Sequence, residues 1–195
     1  MNIAEFLSRI NVVDVLIVVV LFALFVLGYI QGTIRRLVGI GSILFSFLLA
    51  AQLSVPLGRF LADNWTQFPR EYAVMVGFLT LFGAAVVAFS LIIQGTYNKT
   101  EVFAKHPIVD EIVGGLLGLV QGVLVLLFVT IILDQFFLYS NIAPDSDELP
   151  FLRDVWTAID GSAIGNVLHQ NLIPGFLSVV SFLIPHNVLA IYGLA

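Results

Sequence analysis

Four long apolar runs dominate the chain, and shorter polar segments separate them. The runs cover about residues 12–30, 37–55, 72–93 and 112–133. About 20 mostly apolar residues are needed to cross about 30 Å of hydrocarbon as a helix, and each run has roughly that length. Backbone N–H and C=O groups inside a bilayer must be satisfied within the segment, so these runs are predicted to be helices.

The composition of the 195 residues agrees with this pattern. Hydrophobic residues make up 59% of the chain and charged residues 11%, whereas a soluble domain carries about 25% charged residues. Too little polar material is present to cover a globule in water. The chain is therefore predicted to be an all-α, polytopic membrane protein with the lipid bilayer as its immediate partner.

Charge and cysteine content exclude further classes of function. The net charge is −5 and Lys and Arg together number 8, so no nucleic-acid surface is expected. No cysteine is present, which excludes disulfides, thiolate nucleophiles and cysteine metal ligands.

The spans are predicted to form one transmembrane domain, residues 1–139, followed by a tail, residues 140–195. The first run is expected to be retained, because no small-x-small signal-peptidase site follows it and the second run begins almost at once. The predicted connections are a tight hairpin at about 31–36 and longer segments at about 59–71 and 95–111.

The tail has a different character from the spans. An acidic loop at 143–150 precedes a possible short helix at 151–160. The last apolar stretch, 176–184, is too short to cross a bilayer as a helix. It is predicted to be interfacial or to pack back on the bundle, with a re-entrant segment as the less favoured alternative.

Membrane orientation depends on an even split of the basic residues, with four on each side of the predicted spans. The pair in the short first hairpin is the most constrained, which favours hairpin tips in the cytoplasm. The N-terminus, the C-terminus and the acidic tail are then predicted to lie outside. The basic residues are Arg9, Arg59, Arg70 and Arg153 on one side and Arg35, Arg36, Lys99 and Lys105 on the other.

Small residues recur at four-residue spacing within the predicted spans. This spacing places them on one helix face, where they let a neighbouring helix approach closely in lipid. Helix packing is the predicted use, and a pore lined by the stripe is the alternative. The residues are Gly28 and Gly32 at the first hairpin, Ser42, Ser46 and Ala50 in the second span, and Gly114, Gly118 and Gly122 in the fourth.

Two carboxylates, Asp14 and Asp110, lie at the entrances of the first and fourth spans. Acids near membrane depth are expensive and are functional-site candidates, for example in proton or ion relays. Each also fits a helix start, and Asn11 precedes the first acid as a candidate N-cap. Capping is the favoured interpretation. Asp134, at the far end of the fourth span, is expected to reach headgroups, water or a basic partner.

No pattern in the chain indicates catalysis or a cofactor. His106, His169 and His186 have no metal-ligand spacing. Neither a GxSxG motif nor a complete phosphate-binding glycine signature is present. The chain is predicted not to be an enzyme and to use no cofactor or metal.

The order and separation of several motifs resemble those of the colicin V production protein (CvpA) family. An Asn-x-x-Asp helix entrance, a Gly-Tyr-x-x-Gly hairpin followed by two arginines, and an aspartate followed by three glycines at four-residue spacing extend over about residues 11–137. The residues that carry the resemblance are Asn11, Asp14, Gly28, Tyr29, Gly32, Arg35, Arg36, Asp110, Gly114, Gly118 and Gly122.

The resemblance implies a bacterial cytoplasmic (inner) membrane protein with about four helices, linked to production or export of a peptide toxin. Related domains anchor extracytoplasmic serine proteases, which would place the C-terminus outside. The family often has a basic residue where this chain has Gln31 and Gln121. Glutamine keeps hydrogen-bonding capacity but no charge, so a role that needs a cation at these places is not supported.

The resulting hypothesis is a non-enzymatic protein of CvpA type. It would act in toxin export or envelope maintenance through membrane-protein partners or self-association. The alternative is a small transporter or channel subunit in which Asp14, Asp110 and Gln121 face one polar path.

Overall fold

Four long helices form the body of the structure, and each is long and apolar enough to cross a membrane. This confirms the predicted all-α polytopic architecture. The helices are α1 (Val12–Gln31), α2 (Thr33–Asn64), α3 (Arg70–Thr96) and α4 (Pro107–Phe137). The structure is a computed structural model that describes residues 11–64, 70–96, 107–138 and 149–194.

The first hairpin is shorter than predicted. Only Gly32 separates α1 from α2, and its amide donates to the carbonyl oxygen of Gly28 at 3.0 Å, which closes the end of α1. The backbone of Gly32 has φ 80° and ψ 174°, a region that is essentially restricted to glycine. One residue therefore reverses the chain, and Arg35 and Arg36 lie in the first turns of α2 instead of in a loop.

The helices also extend beyond the apolar runs. α2 continues past the predicted end at residue 55 to Asn64, with Pro56 inside it, and α4 begins at Pro107, before residue 112. Hydropathy marks the part of a helix that suits hydrocarbon, whereas helical hydrogen bonding continues into polar sequence. The predicted connections at 59–71 and 95–111 are correspondingly shortened.

The four long helices pack around an aromatic core and expose apolar side chains on the outer face of α1. α1 packs mainly along α4, and α2 packs along α3 and α4. In the core, the Phe47 ring is fully buried and stacks on that of Phe128 with centroids 4.1 Å apart. On the outer face of α1, apolar side chains such as Val19 and Phe22 are exposed, as expected for contact with lipid.

The tail is helical and folds back on the bundle. The predicted helix at 151–160 is confirmed as α5, and the apolar stretch 176–184 packs back, with the Phe176 ring 5.2 Å from that of Phe128. The predicted acidic loop lies almost wholly outside the described residues. The tail elements are α5 (Pro150–Asp160), α6 (Ala163–Val167), a π-helical turn (Leu168–Leu172), α7 (Ile173–Val180), a 3-10 turn (Ser181–Leu183) and α8 (His186–Ile191).

Candidate functional site

Glycines bring α1 and α4 into backbone contact. A Cβ atom on Gly28 would overlap the carbonyl oxygen of Gly114, and one on Gly114 would lie 2.6 Å from the carbonyl oxygen of Gly28. Gly118 lies directly against the backbone of Leu24, and a Cβ on Gly122 would lie 2.6 Å from Cδ1 of the same leucine. The glycine stripe of α4 therefore faces α1, where small residues permit the approach.

The small-residue row of α2 is directed mostly inward. Ser46 and Ala50 are buried, while Ser42 lines a cavity. The Ser42 hydroxyl donates to the carbonyl oxygen of Val38 at 2.8 Å, and the Ser46 hydroxyl donates to that of Ser42 at 2.7 Å. These hydroxyls are thus satisfied within their own helix.

Asp110 joins the start of α4 to the first hairpin. Its carboxylate accepts from the amide of Thr33 at 3.5 Å, and the Thr33 hydroxyl donates to the Asp110 carbonyl oxygen at 3.0 Å. The absence of a side chain at Gly32 makes space for the Asp110 carboxylate, because a Cβ there would lie 2.6 Å from Asp110 Oδ2. Nearby, Tyr29 hydrogen-bonds to the side chain of Glu111. Asp110 therefore satisfies the N-terminus of α2, a neighbouring helix.

Asp14 serves two helix N-termini at once. Asn11 caps α1, and its own amide donates to Asp14 Oδ2 at 2.9 Å in a capping box. The same carboxylate accepts from the amides of Ala163 at 3.2 Å and Ile164 at 2.9 Å, at the start of α6, whose N-cap is Ser162. The acid therefore fastens the tail to the entrance of the first span.

A second buried carboxylate, Asp134, fastens the tail at the end of α4. It is 0% exposed. Its Oδ1 accepts a hydrogen bond from the indole Nε1 of Trp156 at 2.8 Å. Its Oδ2 is hydrogen-bonded to Nε2 of His169 at 2.9 Å and accepts from the hydroxyl of Tyr192. On the far side of the imidazole, Nδ1 lies 3.6 Å from Asp160. Among the alternatives for Asp134, the structure shows the basic partner, His169.

The carboxylate changes the proton affinity of its partners. Hydrogen bonding to Asp134 raises the pKa of His169 above its ordinary value, against the opposing effect of burial. Burial, followed by the charge of Asp134, raises the pKa of Tyr192. A shallow cavity of about 310 Å³ reaches both side chains and Asp160. The cluster can hold a proton on the imidazole, and the phenol remains neutral.

A polar cavity of about 240 Å³ lies among α1, α2, α3 and α4 at the hairpin end of the bundle. Arg36 is buried there, and its Nη1 donates to Oε1 of Gln121 at 2.7 Å. Arg35 and Gln31 also line the cavity, together with Gln94 of α3. Gln31 and Gln121 therefore share one cavity.

The three residues of the predicted transport path are not brought together. Asp14 binds the tail, Asp110 binds the hairpin, and Gln121 binds Arg36. Neither aspartate lies in the wall of the cavity that Gln121 lines. Within the described ranges, no group of three or more His, Asp or Glu side chains is arranged to hold a metal ion.

Sequence reasoning missed the partners of Asp134 and of Arg36. His169 carried no spacing signal, because the carboxylates that flank it come from α4 and α5. For Trp156 and Tyr192, the available signal was the amphipathic aromatic side chain, whose N–H or O–H usually finds a hydrogen-bond partner when it is buried.

Four apolar helices with a helical tail held by buried carboxylates define a polytopic α-helical membrane protein. The model of the colicin V production protein family matches residues 13–157, well over half of the chain. The chain belongs to that family, which confirms the resemblance seen in its motifs. No curated protein and no solved structure gives a significant match.

Proposed function

We propose that this protein is a non-enzymatic scaffold of the bacterial inner membrane. It acts in the production or export of a peptide toxin, or in envelope maintenance, through membrane-protein partners or self-association. The family match over residues 13–157 carries the proposal, since it extends from α1 into α5 and so includes the bundle and the start of the tail.

The use of the buried acids supports a scaffold over a transporter. Asp14, Asp110 and Asp134 each accept hydrogen bonds from another element of the fold. Carboxylates of an ion pathway need access to water or to the ion. These three are 4%, 1% and 0% exposed, respectively, and their hydrogen bonds join elements far apart in sequence.

Complementation tests the role. The chain is expressed in a colicin V-producing strain that lacks its own family member, and secreted toxin is measured as growth inhibition of a sensitive lawn. We expect secretion to return when the protein reaches the membrane at the level of the natural family member. Normal membrane levels without restored secretion would contradict the role in toxin production.

Partners are tested in native membranes. Photo-crosslinking groups at exposed positions of α1, such as Val19 and Phe22, are expected to capture a membrane protein or a second copy of the chain. A matched group at buried Phe47 serves as the control. Absence of both partner and self-crosslinks at the exposed sites would count against the scaffold.

The proposed orientation places both termini outside. The contact between the start of α1 and the tail, where the Asn11 side chain donates to the carbonyl oxygen of Gly161 at 3.2 Å, supports one common side for both. The choice of the outer side depends on Arg35 and Arg36, which favour a cytoplasmic first hairpin. A reporter that is active only outside the cytoplasm, fused after Ala195, is expected to be active. An inactive reporter on a stably inserted fusion would reverse the orientation.

A further inference from the structure

The cavity at the hairpin end has the composition of an anion site. Its described polar wall consists of two guanidinium groups, three side-chain amides and two hydroxyls, and none of the described residues that line it is Asp or Glu. Six of these residues are Gln31, Arg35, Arg36, Ser42, Gln94 and Gln121. The two copies of the sequence Ile-Gln-Gly-Thr, at 30–33 and 93–96, each contribute their glutamine.

The guanidinium of Arg36 has an N–H donor that is buried without a hydrogen-bond partner. Its side chain is deeply buried, with 5% of the residue exposed. Of its five N–H donors, the hydrogen bond described for the guanidinium is that from Nη1 to Gln121. Its Nε is buried without a hydrogen-bond partner. Among the described residues, the charged neighbour that acts on Arg36 is Arg35, which has the same sign.

A buried cation without a counter-charge is costly, so a compensating anion is expected. The nearby acid at the hairpin does not meet this need, because the Asp110 carboxylate lies against Gly32 and accepts from the Thr33 amide. The neutral amide of Gln121 satisfies one donor and supplies no charge.

We propose that this cavity binds a phosphate-type oxyanion, with the guanidinium of Arg36 as the principal ligand. Arginine suits the task because its planar fork matches the oxygens of a phosphate. The group can come from an anionic lipid headgroup or from a soluble ion, since the cavity lies at the ends of α1 and α3 and the start of α2, where spans meet the membrane surface. The site is independent of the proposed role in toxin production.

Binding is measured on the full chain purified in neutral detergent. One arm titrates inorganic phosphate by calorimetry, and the other counts bound phosphatidylglycerol against phosphatidylcholine by native mass spectrometry. The test variant is Arg36→Gln. The matched control is Arg59→Gln, which removes the same charge from an exposed position of the same helix.

We expect Arg36→Gln to weaken binding about tenfold or more, the usual effect of losing a charge-assisted hydrogen bond, and Arg59→Gln to have no effect. Phosphate binding would identify a soluble ion as a sufficient ligand, and selective phosphatidylglycerol binding alone would identify the headgroup. If neither probe binds, or if Arg36→Gln binds as the wild type does, the proposal is wrong.

A second variant guards against misfolding of Arg36→Gln. Gln121→Glu places a carboxylate on the atom position that already receives Nη1 at 2.7 Å. This internal anion is expected to raise the melting temperature without ligand and to weaken phosphate or phosphatidylglycerol binding about tenfold or more. A stable Gln121→Glu protein that binds as tightly as the wild type would also overturn the proposal.

Discussion

Asp134 of α4 and His169 of the tail lie 2.9 Å apart, Oδ2 to Nε2, although 35 residues separate them along the chain. The carboxylate is fully buried and the imidazole is mostly buried, with 18% of its side chain exposed. The contact therefore joins the end of the last span to the tail. Its strength depends on whether the His169 imidazole is protonated.

Stability is expected to depend on pH through His169. Its pKa is raised in the folded protein, chiefly by the hydrogen bond to Asp134, so the protonated imidazole favours the folded state. This contribution is fully present below the ordinary value of 6.5 and is lost as pH rises through the folded-state pKa. Among the described residues, the charged groups beside the imidazole are Asp134 and Asp160, and Tyr192 shares the Asp134 Oδ2 atom with it.

Thermal unfolding in detergent from about pH 5.5 to about pH 8.5 checks this linkage. The melting temperature of the wild type is expected to exceed that of His169→Gln most at the acidic end, and the gap should narrow toward the alkaline end. His186→Gln, at an exposed site in α8, is the control. A gap that stays constant across the range would contradict the assignment.

Removal of Asp14 is expected to loosen the tail. Asp14→Ala leaves the amides of Ala163 and Ile164 without their acceptor, and a buried unsatisfied donor costs about 1–3 kcal/mol. Trypsin cleavage after Arg153, in α5, should become faster, and the free energy of unfolding should fall. Asp63→Ala, at an exposed site near the end of α2, should change neither. Equal cleavage of the two variants would argue against the fastening role.

Hydropathy predicted the four spans because a segment that crosses the bilayer as a helix must be mostly apolar over about 20 residues. Their ends could not be read in the same way. Gly32 alone makes the first turn, and this reduction of the loop transfers Arg36 from a predicted hairpin to a buried helical position.

Contacts between distant parts of the chain were beyond the sequence patterns. Asp14 showed the signature of a helix start, and the structure contains that cap. Its second role depends on Ile164, 150 residues away. The pairing of Arg36 with Gln121 is likewise a product of packing between α2 and α4, where an added Cβ on Gly39 would lie 3.3 Å from the Gln121 side-chain oxygen that accepts from Arg36. Spacing along one segment carries no information about the segment opposite.

The contact between α1 and α4 is expected to depend on the absence of Cβ atoms. Gly28→Ala and Gly114→Ala would each press a methyl group against a carbonyl oxygen of the partner helix, and overpacking costs about 1–3 kcal/mol. Gly83→Ala is the matched control, since no atom in the described part of the chain lies within 4 Å of its added Cβ. Melting temperatures in detergent should fall for the first two variants and stay unchanged or rise for the control. A fall of equal size in all three would contradict the close-approach role.

The two Ile-Gln-Gly-Thr copies are expected to respond oppositely to the same substitution. Gly32→Ala must adopt φ 80° and ψ 174°, which costs on the order of 1–3 kcal/mol, and its Cβ would lie 2.6 Å from Asp110 Oδ2. Gly95 lies in the last turn of α3, and no atom of the described residues lies within 4 Å of an added Cβ. Alanine there should leave stability unchanged or improve it, because alanine favours helix more than glycine does.

Unfolding of both variants in detergent measures this difference directly. Asp110→Ala combined with Gly32→Ala separates the two costs at the hairpin, because removal of the carboxylate relieves the steric overlap and leaves the backbone strain. Relative to Asp110→Ala alone, the added alanine should still cost about 1–3 kcal/mol. If the added alanine instead costs nothing in that background, steric contact with Asp110, and not the backbone conformation, is what requires glycine at position 32.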